Sequence, residues 1–314
     1  MAPLHRIEMP VPFAMRSVNA WLSLDEDGAT LVDCGPRTPD GWEALVAGLH
    51  AHGVRPADVT RVLLTHAHVD HYGNLARLQR GNPSLRAFVH PADRGWIEDY
   101  EGGRRMRFDA YGPALERCGL DERDMRRLAK GYEILATMAE AAAVHGTLEP
   151  GTSVHVARAD HEVIHVPGHS PGCVALHDPL DSTLLSGDVL LERVTTNAVC
   201  LADDERAALR DHRASLRRLA ATDARHVLPG HRDPFDDARK IAEEHETNIA
   251  ARGERVFGLL TTEPQSVRSL VRGLFRELEV DLFLACSELL GHLRELERAG
   301  RAVERSDGRW TAPR

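Results

Sequence analysis

Residues 59–71 read VTRVLLTHAHVDH. The first six form a short β-branched apolar run with the length and composition of a buried strand. The run stops at Thr65, and four potential metal ligands follow at once: His66, His68, Asp70 and His71. Histidine is the commonest metal ligand among side chains. His66, His68 and Asp70 share one parity, as in an extended segment, and His71 follows directly. A loop that leaves a strand in this way sends two imidazoles to one point, and a carboxylate with a third imidazole to a second point nearby. That arrangement suits two ions about 3.5–4 Å apart.

Three further stretches repeat the theme downstream. Strand 162–166 runs into Pro167-Gly168-His169-Ser170-Pro171-Gly172, strand 182–186 into Gly187-Asp188, and strand 225–228 into Pro229-Gly230-His231. Each puts a potential ligand just past the carboxyl end of a strand, where open α/β sheets build their sites. The elements around them follow a βαβ rhythm. Strands are expected at 18–24 and 29–33, joined by a turn at Asp25–Gly28, and at 86–89; helices are expected at 40–51 and 72–80. Residues 94–146 interrupt the rhythm and read as a helical insertion, with 121–145 its longest helix. Strands return at 153–157, 162–166, 173–177 and 182–186, followed by a helix at 204–220, a strand at 225–228 and a long helix from about Asp236. Beyond 246, helices at 246–260, 266–277 and 283–299 precede a hairpin turning at Ser306-Asp307-Gly308, which gives the outline of a winged helix. The expected division is 1–245 and 246–314.

The ordered ligand blocks, together with Val32-Asp33-Cys34-Gly35, make the chain resemble the metallo-β-lactamase superfamily from Val18 to about Arg232, and within it the glyoxalase-II-like group. The resemblance implies a four-layer αββα sandwich. It implies that His66, His68 and His169 bind one metal, that Asp70, His71 and His231 bind another, and that Asp188 bridges them. Asp33 would position the metal-binding loop. His66, His68 and Asp70 are the residues expected to carry catalysis, with Asp70 orienting the nucleophile and taking up its proton. Tyr72, Tyr111, Thr195 and Asn197 are candidate substrate contacts.

All-nitrogen and oxygen ligation suits zinc first, with iron or manganese compatible. A bridging Asp188 stands where true β-lactamases carry Cys or Ser. His68 stands where flavodiiron proteins carry Glu, and too few residues separate Asp188 from His231 for the β-CASP insertion. The expected activity is therefore hydrolysis of a small thioester, ester or lactone. The alternatives are a metal-dependent endoribonuclease or phosphodiesterase, and a mononuclear iron persulfide-type dioxygenase using His66, His169 and Asp188.

Composition agrees with a small-molecule substrate. The 314 residues carry a net charge of -9 and include 18 histidines, and nucleic-acid affinity rests on phosphate neutralisation. Residues 284–300 hold Glu288, Glu295 and Glu297 against Arg294 and Arg298, so this helix lacks the basic face of a DNA reader. The C-terminal part is read as serving packing or homodimer formation, with no nucleic-acid partner. Five scattered cysteines without a C-x-x-C pair point to a reducing cytoplasm. No apolar run is long enough for a membrane span, and residues 1–13 lack the apolar core of a signal peptide.

Overall fold

The computed structural model describes residues 4–25, 28–275 and 281–313. The middle of the expected Asp25–Gly28 turn and the end of the expected helix 266–277 lie outside them. The first sheet holds, in spatial order, β1 (His5–Pro10), β2 (Ser17–Asp25), β3 (Gly28–Val32), β4 (Val59–Leu63), β5 (Arg86–Val89) and β6 (Gly146–Thr147). The second runs from β7 (Ser153–Val156) through β8 (Ala159–His165), β9 (Val174–Asp178), β10 (Thr183–Gly187) and β11 (His226–Pro229) to β12 (Phe235–Asp236). Pairs β3–β4, β4–β5, β5–β6 and β10–β11 are parallel. The helices are α1 (Pro39–Ala51), α2 (Val69–Tyr72), α3 (Leu75–Gly81), α4 (Pro91–Glu98), α5 (Tyr100–Arg117), α6 (Glu122–Ala136), α7 (Ala208–Ala220), α8 (Ala238–Leu259), α9 (Val267–Leu274) and α10 (Leu282–Arg298). A short hairpin, β13 (Val303–Glu304) with β14 (Trp310–Thr311), follows α10.

Alternation along the strands decides how these layers stack. Val18, Ala20 and Leu22 of β2 face α1, α3 and α4, where they meet Leu45, Leu49, Leu75, Leu78 and Ile97. Trp21, Val32 and Leu63 point the other way and meet Val163, Val174, Leu176 and Leu185 of the second sheet. The far side of that sheet, with Ala175, Leu184 and Val227, packs beneath Leu216, Ile241, Ile249, Leu270 and Leu289 from α7 to α10. Three apolar cores thus separate four layers, and the architecture is the αββα sandwich. Tyr111, Leu115 and Cys118 bring α5 of the insertion into the third core.

Several elements depart from the sequence reading for local reasons. The expected helix 72–80 is broken into α2 and α3. At the break, a side chain on Gly73 would strike the backbone of Met138 and Arg37, while Asn74 bonds the carbonyls of Cys34 and Gly35. The expected helix 121–145 stops at Ala136 because the following backbone is claimed elsewhere. Met138 O accepts from Arg37, Ala142 N donates to Ile97, and Met138, Ala139, Ala142 and Val144 are buried. The helix expected from 204 starts at Ala208, after a single 3-10 turn at Asp203–Glu205. β1 was not anticipated, although Ile7 and Met9 are buried and alternate with exposed Glu8. α8 runs unbroken through the expected 245/246 division, and Arg213 of α7 binds Glu246 beyond it.

Two buried histidines of this outer layer make the fold acid-sensitive. His212 on α7 is fully buried, and neither of its ring nitrogens has a hydrogen-bond partner. Burial first, then the neighbouring His169 and His245, push it down to about 3; burial likewise brings His292 on α10 to about 4. An unfolded histidine titrates near 6.5, so below that pH the unfolded chain binds protons that the folded chain refuses. What these two neutral rings contribute to stability is complete above pH ~6.5 and falls as pH drops towards the folded values. His212→Leu removes a buried, unbonded polar ring of similar bulk. Urea unfolding should show it within about 1 kcal/mol of the wild type at pH 8, and less destabilised by acid between pH ~6.5 and ~4.

Candidate metal centre

All seven residues expected to bind metal converge at one edge of the paired sheets. The β4–α2 loop brings His66 and His68, and α2 itself carries Asp70 and His71. His169 comes from the β8–β9 loop, Asp188 follows β10, and His231 follows β11. Their side chains fall into three sets whose potential ligand atoms lie within 4.8 Å of one another: His66, His68 and His169; Asp70, His71 and His231; and His66, His71 and Asp188 between them. Asp188 faces both outer sets. Its Oδ2 lies 3.5 Å from His169 Nε2 and 3.2 Å from His231 Nε2, and its Oδ1 lies 3.3 Å from His71 Nε2. His66, His71 and His231 are essentially closed to solvent, while His68 and His169 are half-buried.

The backs of four imidazoles are fixed, while His68 turns its Nδ1 to His66 Nε2 at 3.0 Å. His71 Nδ1 donates to Asp33 Oδ2 at 2.8 Å, His169 Nδ1 to Asn197 O at 3.0 Å, and His231 Nδ1 to Ser17 O. His66 Nδ1 lies 3.0 Å from Thr65 Oγ1, whose hydroxyl donates to Asp33 Oδ2 at 2.8 Å. Such outer contacts turn the Nε2 atoms of His66, His71, His169 and His231 towards the centre. The inward Nε2 atoms of His71 and His169 and Asp188 Oδ1 are buried without a hydrogen-bond partner among the described residues. Buried polar atoms of a folded protein are ordinarily satisfied. A convergent set of unsatisfied imidazole nitrogens and carboxylate oxygens therefore fits divalent cations.

Electrostatics agree. Burial works against charge on His71 and His231, but Asp188 and Asp70 outweigh it, with Asp33 adding to the effect on His71. His71 is held well above the usual histidine range and His231 is pushed up to about 10. Burial likewise opposes ionisation of Asp70 and Asp188, yet His71 and His231 hold Asp70 down to about 2 and Asp188 well below the carboxylate range. His66 and His68 are lowered, chiefly by burial, His68 to about 3. The centre thus sets anionic Asp70 and Asp188 beside neutral His66 and His68, and without a cation protons on His71 and His231 balance the carboxylates.

The Metallo-beta-lactamase superfamily model matches residues 15–231. The chain belongs to the metallo-beta-lactamase superfamily. The probable metallo-hydrolase YqjP of Bacillus subtilis is 27% identical over 296 residues, covering 93% of this chain and 91% of the relative. The crystal structure of a metallo-beta-lactamase family protein from Thermus thermophilus superposes with a TM-score of 0.86 at 26% identity, covering 100% of this chain and 99% of that one. The acyl-coenzyme A thioesterase MBLAC2 of Gallus gallus is 27% identical over 231 residues, 70% of this chain and 74% of the relative.

The other residues singled out from the sequence take different places. Asp33 lies behind the centre, accepting from Thr65 N, Thr65 Oγ1 and His71 Nδ1. Tyr72 goes into the first core at 1% exposure, its ring edge-on to Tyr100, and so offers a substrate no surface. Tyr111 is buried against Phe283, its hydroxyl donating to Glu205, which also binds Arg107. It ties the insertion to the loop after Asp188. Asn197 acts through its carbonyl on His169, and its amide donates to Leu284 O. Thr195 is half-buried on the same loop. Two contributors escaped the sequence reading: Asp93, and Asn19, whose amide bonds the carbonyls of Pro229 and Arg232 beside His231. Neither lies in a ligand-like motif; the one available signal was polarity within an apolar strand at Asn19.

Gly230 is where a side chain cannot be placed. A Cβ there would come within 2.3 Å of Asp188 Oδ1 and 2.8 Å of His71 Cε1. Gly230→Ala must displace one or both. Metal analysis after equilibrium dialysis should show affinity weakened about 10- to 100-fold, with far-ultraviolet circular dichroism unchanged; full retention of metal would contradict this packing.

Proposed function

We propose that this chain is a binuclear metal-dependent hydrolase of a small thioester, ester or lactone, with zinc as its metal. The observation that carries the reading is Asp188, whose two oxygens face the two outer sets of ligands. A carboxylate so placed is suited to bridge two ions. When bound, two such ions supply Lewis acidity and a water nucleophile at neutral pH.

The chain's own residues account for the rest. Asp70 stays ionised despite its burial and faces the centre beside His231, which suits its carboxylate to accept a hydrogen bond from the attacking water and so orient it. The Nδ1 anchors of His71, His169 and His231 keep the rings from turning as charge develops. Half-buried His68 and His169 mark the side open to substrate. Hydrolysis of a thioester adds water across the acyl C–S bond, releasing an acid and a thiol. A thiol, with pKa near ~8.5, leaves more readily than an alcohol, so the thioester end of the range asks least of the protein. The acyl-coenzyme A thioesterase among the relatives supports the same choice.

A small substrate is also favoured over nucleic acid by α10. Most of this helix is buried in the third core, and its Arg294 is spent on the carbonyl of Cys200. No helix among the described residues is long and apolar enough to cross a membrane. The five cysteines are all free and buried, in keeping with a reducing cytoplasm.

Zinc-loaded protein assayed on acyl-coenzyme A thioesters, lactones, aryl esters and bis-(p-nitrophenyl) phosphate should favour the thioesters. Chelation should abolish turnover, and Asp70→Ala should lower kcat by about 10²- to 10⁴-fold. Hydrolysis that survives metal stripping would end the proposal. Metal analysis finding one iron per chain, with activity indifferent to His68→Ala, would favour the mononuclear alternative.

A further inference from the structure

Asp93 belongs to none of the ligand sets and to none of the sequence motifs. It lies in the first turn of α4, and only 1% of it is exposed. Its carboxylate accepts three hydrogen bonds: from Ala67 N to Oδ2 at 2.9 Å, from Ser170 Oγ to Oδ2 at 2.8 Å, and from Gly172 N to Oδ1 at 2.8 Å. Ala67 stands between His66 and His68. Ser170 follows His169, and Gly172 closes the same turn. The first loop leaves the first sheet and the second leaves the second sheet. One buried carboxylate thus joins the two loops that supply the set His66, His68 and His169.

The packing leaves this joint little slack. A Cβ on Gly172 would fall 2.5 Å from Asp93 Cγ, so the turn sits directly on the carboxylate. Hydrogen bonds to an ionised acceptor are short and about twice as strong as neutral ones, and removing the acceptor leaves the donors unsatisfied. The contacts are also one-sided. Asp33 bonds His71 directly and reaches His66 through Thr65. None of the hydrogen bonds that Asp93 makes among the described residues involves Asp70, His71 or His231.

We propose that Asp93 is a positioning residue: it sets the distance of His66 and His68 from His169, and thereby the affinity of that set for its ion, without touching ion or substrate. The inference rests on the metal reading above. In Asp93→Asn, Oδ1 keeps its place at Gly172 while the amide nitrogen opposes the N–H of Ala67. Ser170→Ala removes one of the three bonds and leaves the carboxylate.

The test is a cobalt(II) titration of metal-free wild type, Asp93→Asn, Ser170→Ala and a His68→Ala reference. It follows visible absorption, with bound zinc counted after dialysis and the metal-free folds compared by circular dichroism. The wild type should bind two ions. Asp93→Asn should weaken one of them about 10- to 100-fold, and it should be the spectral component lost in His68→Ala. Ser170→Ala should weaken the same component by less. Unchanged affinity in Asp93→Asn, or equal weakening of both components, overturns the inference while leaving the binuclear reading intact. If Asp93→Asn fails to fold, Ser170→Ala decides, and unchanged affinity there overturns it. A wild type that binds one ion refutes the binuclear reading separately, and Asp93 then stands or falls on whether Asp93→Asn weakens that ion. A wild type that binds none refutes both.

Discussion

Asp33 adopts a left-handed backbone conformation, φ 60°, at the end of β3, and its carboxylate accepts from the backbone and hydroxyl of Thr65 and from Nδ1 of His71. Aspartate tolerates that conformation better than most residues. What it gains here is reach, because the carboxylate lands beneath the loop leaving the neighbouring parallel strand. The register of β3 against β4, with Val32 opposite Leu63, puts the two loops side by side. Cys34 and Gly35 then bond the carbonyl of His71. Without this clamp, His66 and His71 would be free to rotate, and a loop dense in imidazoles would have no reason to aim them inward. The rest of the centre is assembled against it.

The second sheet supplies the other half by the same logic. Asn19 and Trp21 of β2 bond carbonyls around Pro229–Arg232, and Val174 N bonds Thr65 O. The two sheets are therefore joined by hydrogen bonds at the edge where the ligands meet, as well as by the apolar core between them. The buried carboxylates in this region meet two kinds of environment. Asp33 and Asp93 are surrounded by hydrogen-bond donors. Asp70 and Asp188 instead face histidine ring nitrogens, and Asp188 Oδ1 has no hydrogen-bond partner. A carboxylate already supplied with donors holds structure; one facing lone pairs and orphaned nitrogens is available to a cation.

This division explains what could be read from the sequence. The residues facing the centre were legible because their chemistry is local: several ligands in one loop, and single ligands after glycine at strand ends. Most of the longer strands were legible from short apolar, β-branched runs, although β1 was not, for all its alternation. Asp93 was not, because its role appears only when two loops from different sheets are brought together, and its own surroundings resemble an ordinary helix start. Tyr72 and Tyr111 misled for the converse reason. Tyr72 adjoins His71 and Tyr111 lies in the insertion between the first ligand block and His169, but the chain turns both into cores, where ring burial outweighs exposure of the hydroxyl. The helix end at 136 and the break at 73–74 were hidden because the residues that impose them, Arg37, Ile97 and Cys34, are distant in sequence.

The C-terminal helices present the same lesson on a larger scale. α10 grips the stretch 197–200. Asn197 Nδ2 bonds Leu284 O, Ser287 Oγ donates to Ala198 O and accepts from Cys200 N, and Arg294 donates to Cys200 O. That stretch carries the carbonyl that orients His169, and Thr196 just before it bonds the carbonyl of Asp188. Glu205, held by Arg107 and Tyr111 of the insertion, caps Leu201 and Ala202 at its far end. The loop behind two of the ligands is therefore pinned from both sides by segments that look peripheral in the sequence. His231 is held from β2, by Ser17 O and through Asn19, whereas His169 and Asp188 are held through this loop. This is a physical reason for the helices of the insertion and of the C-terminal part to pack where they do.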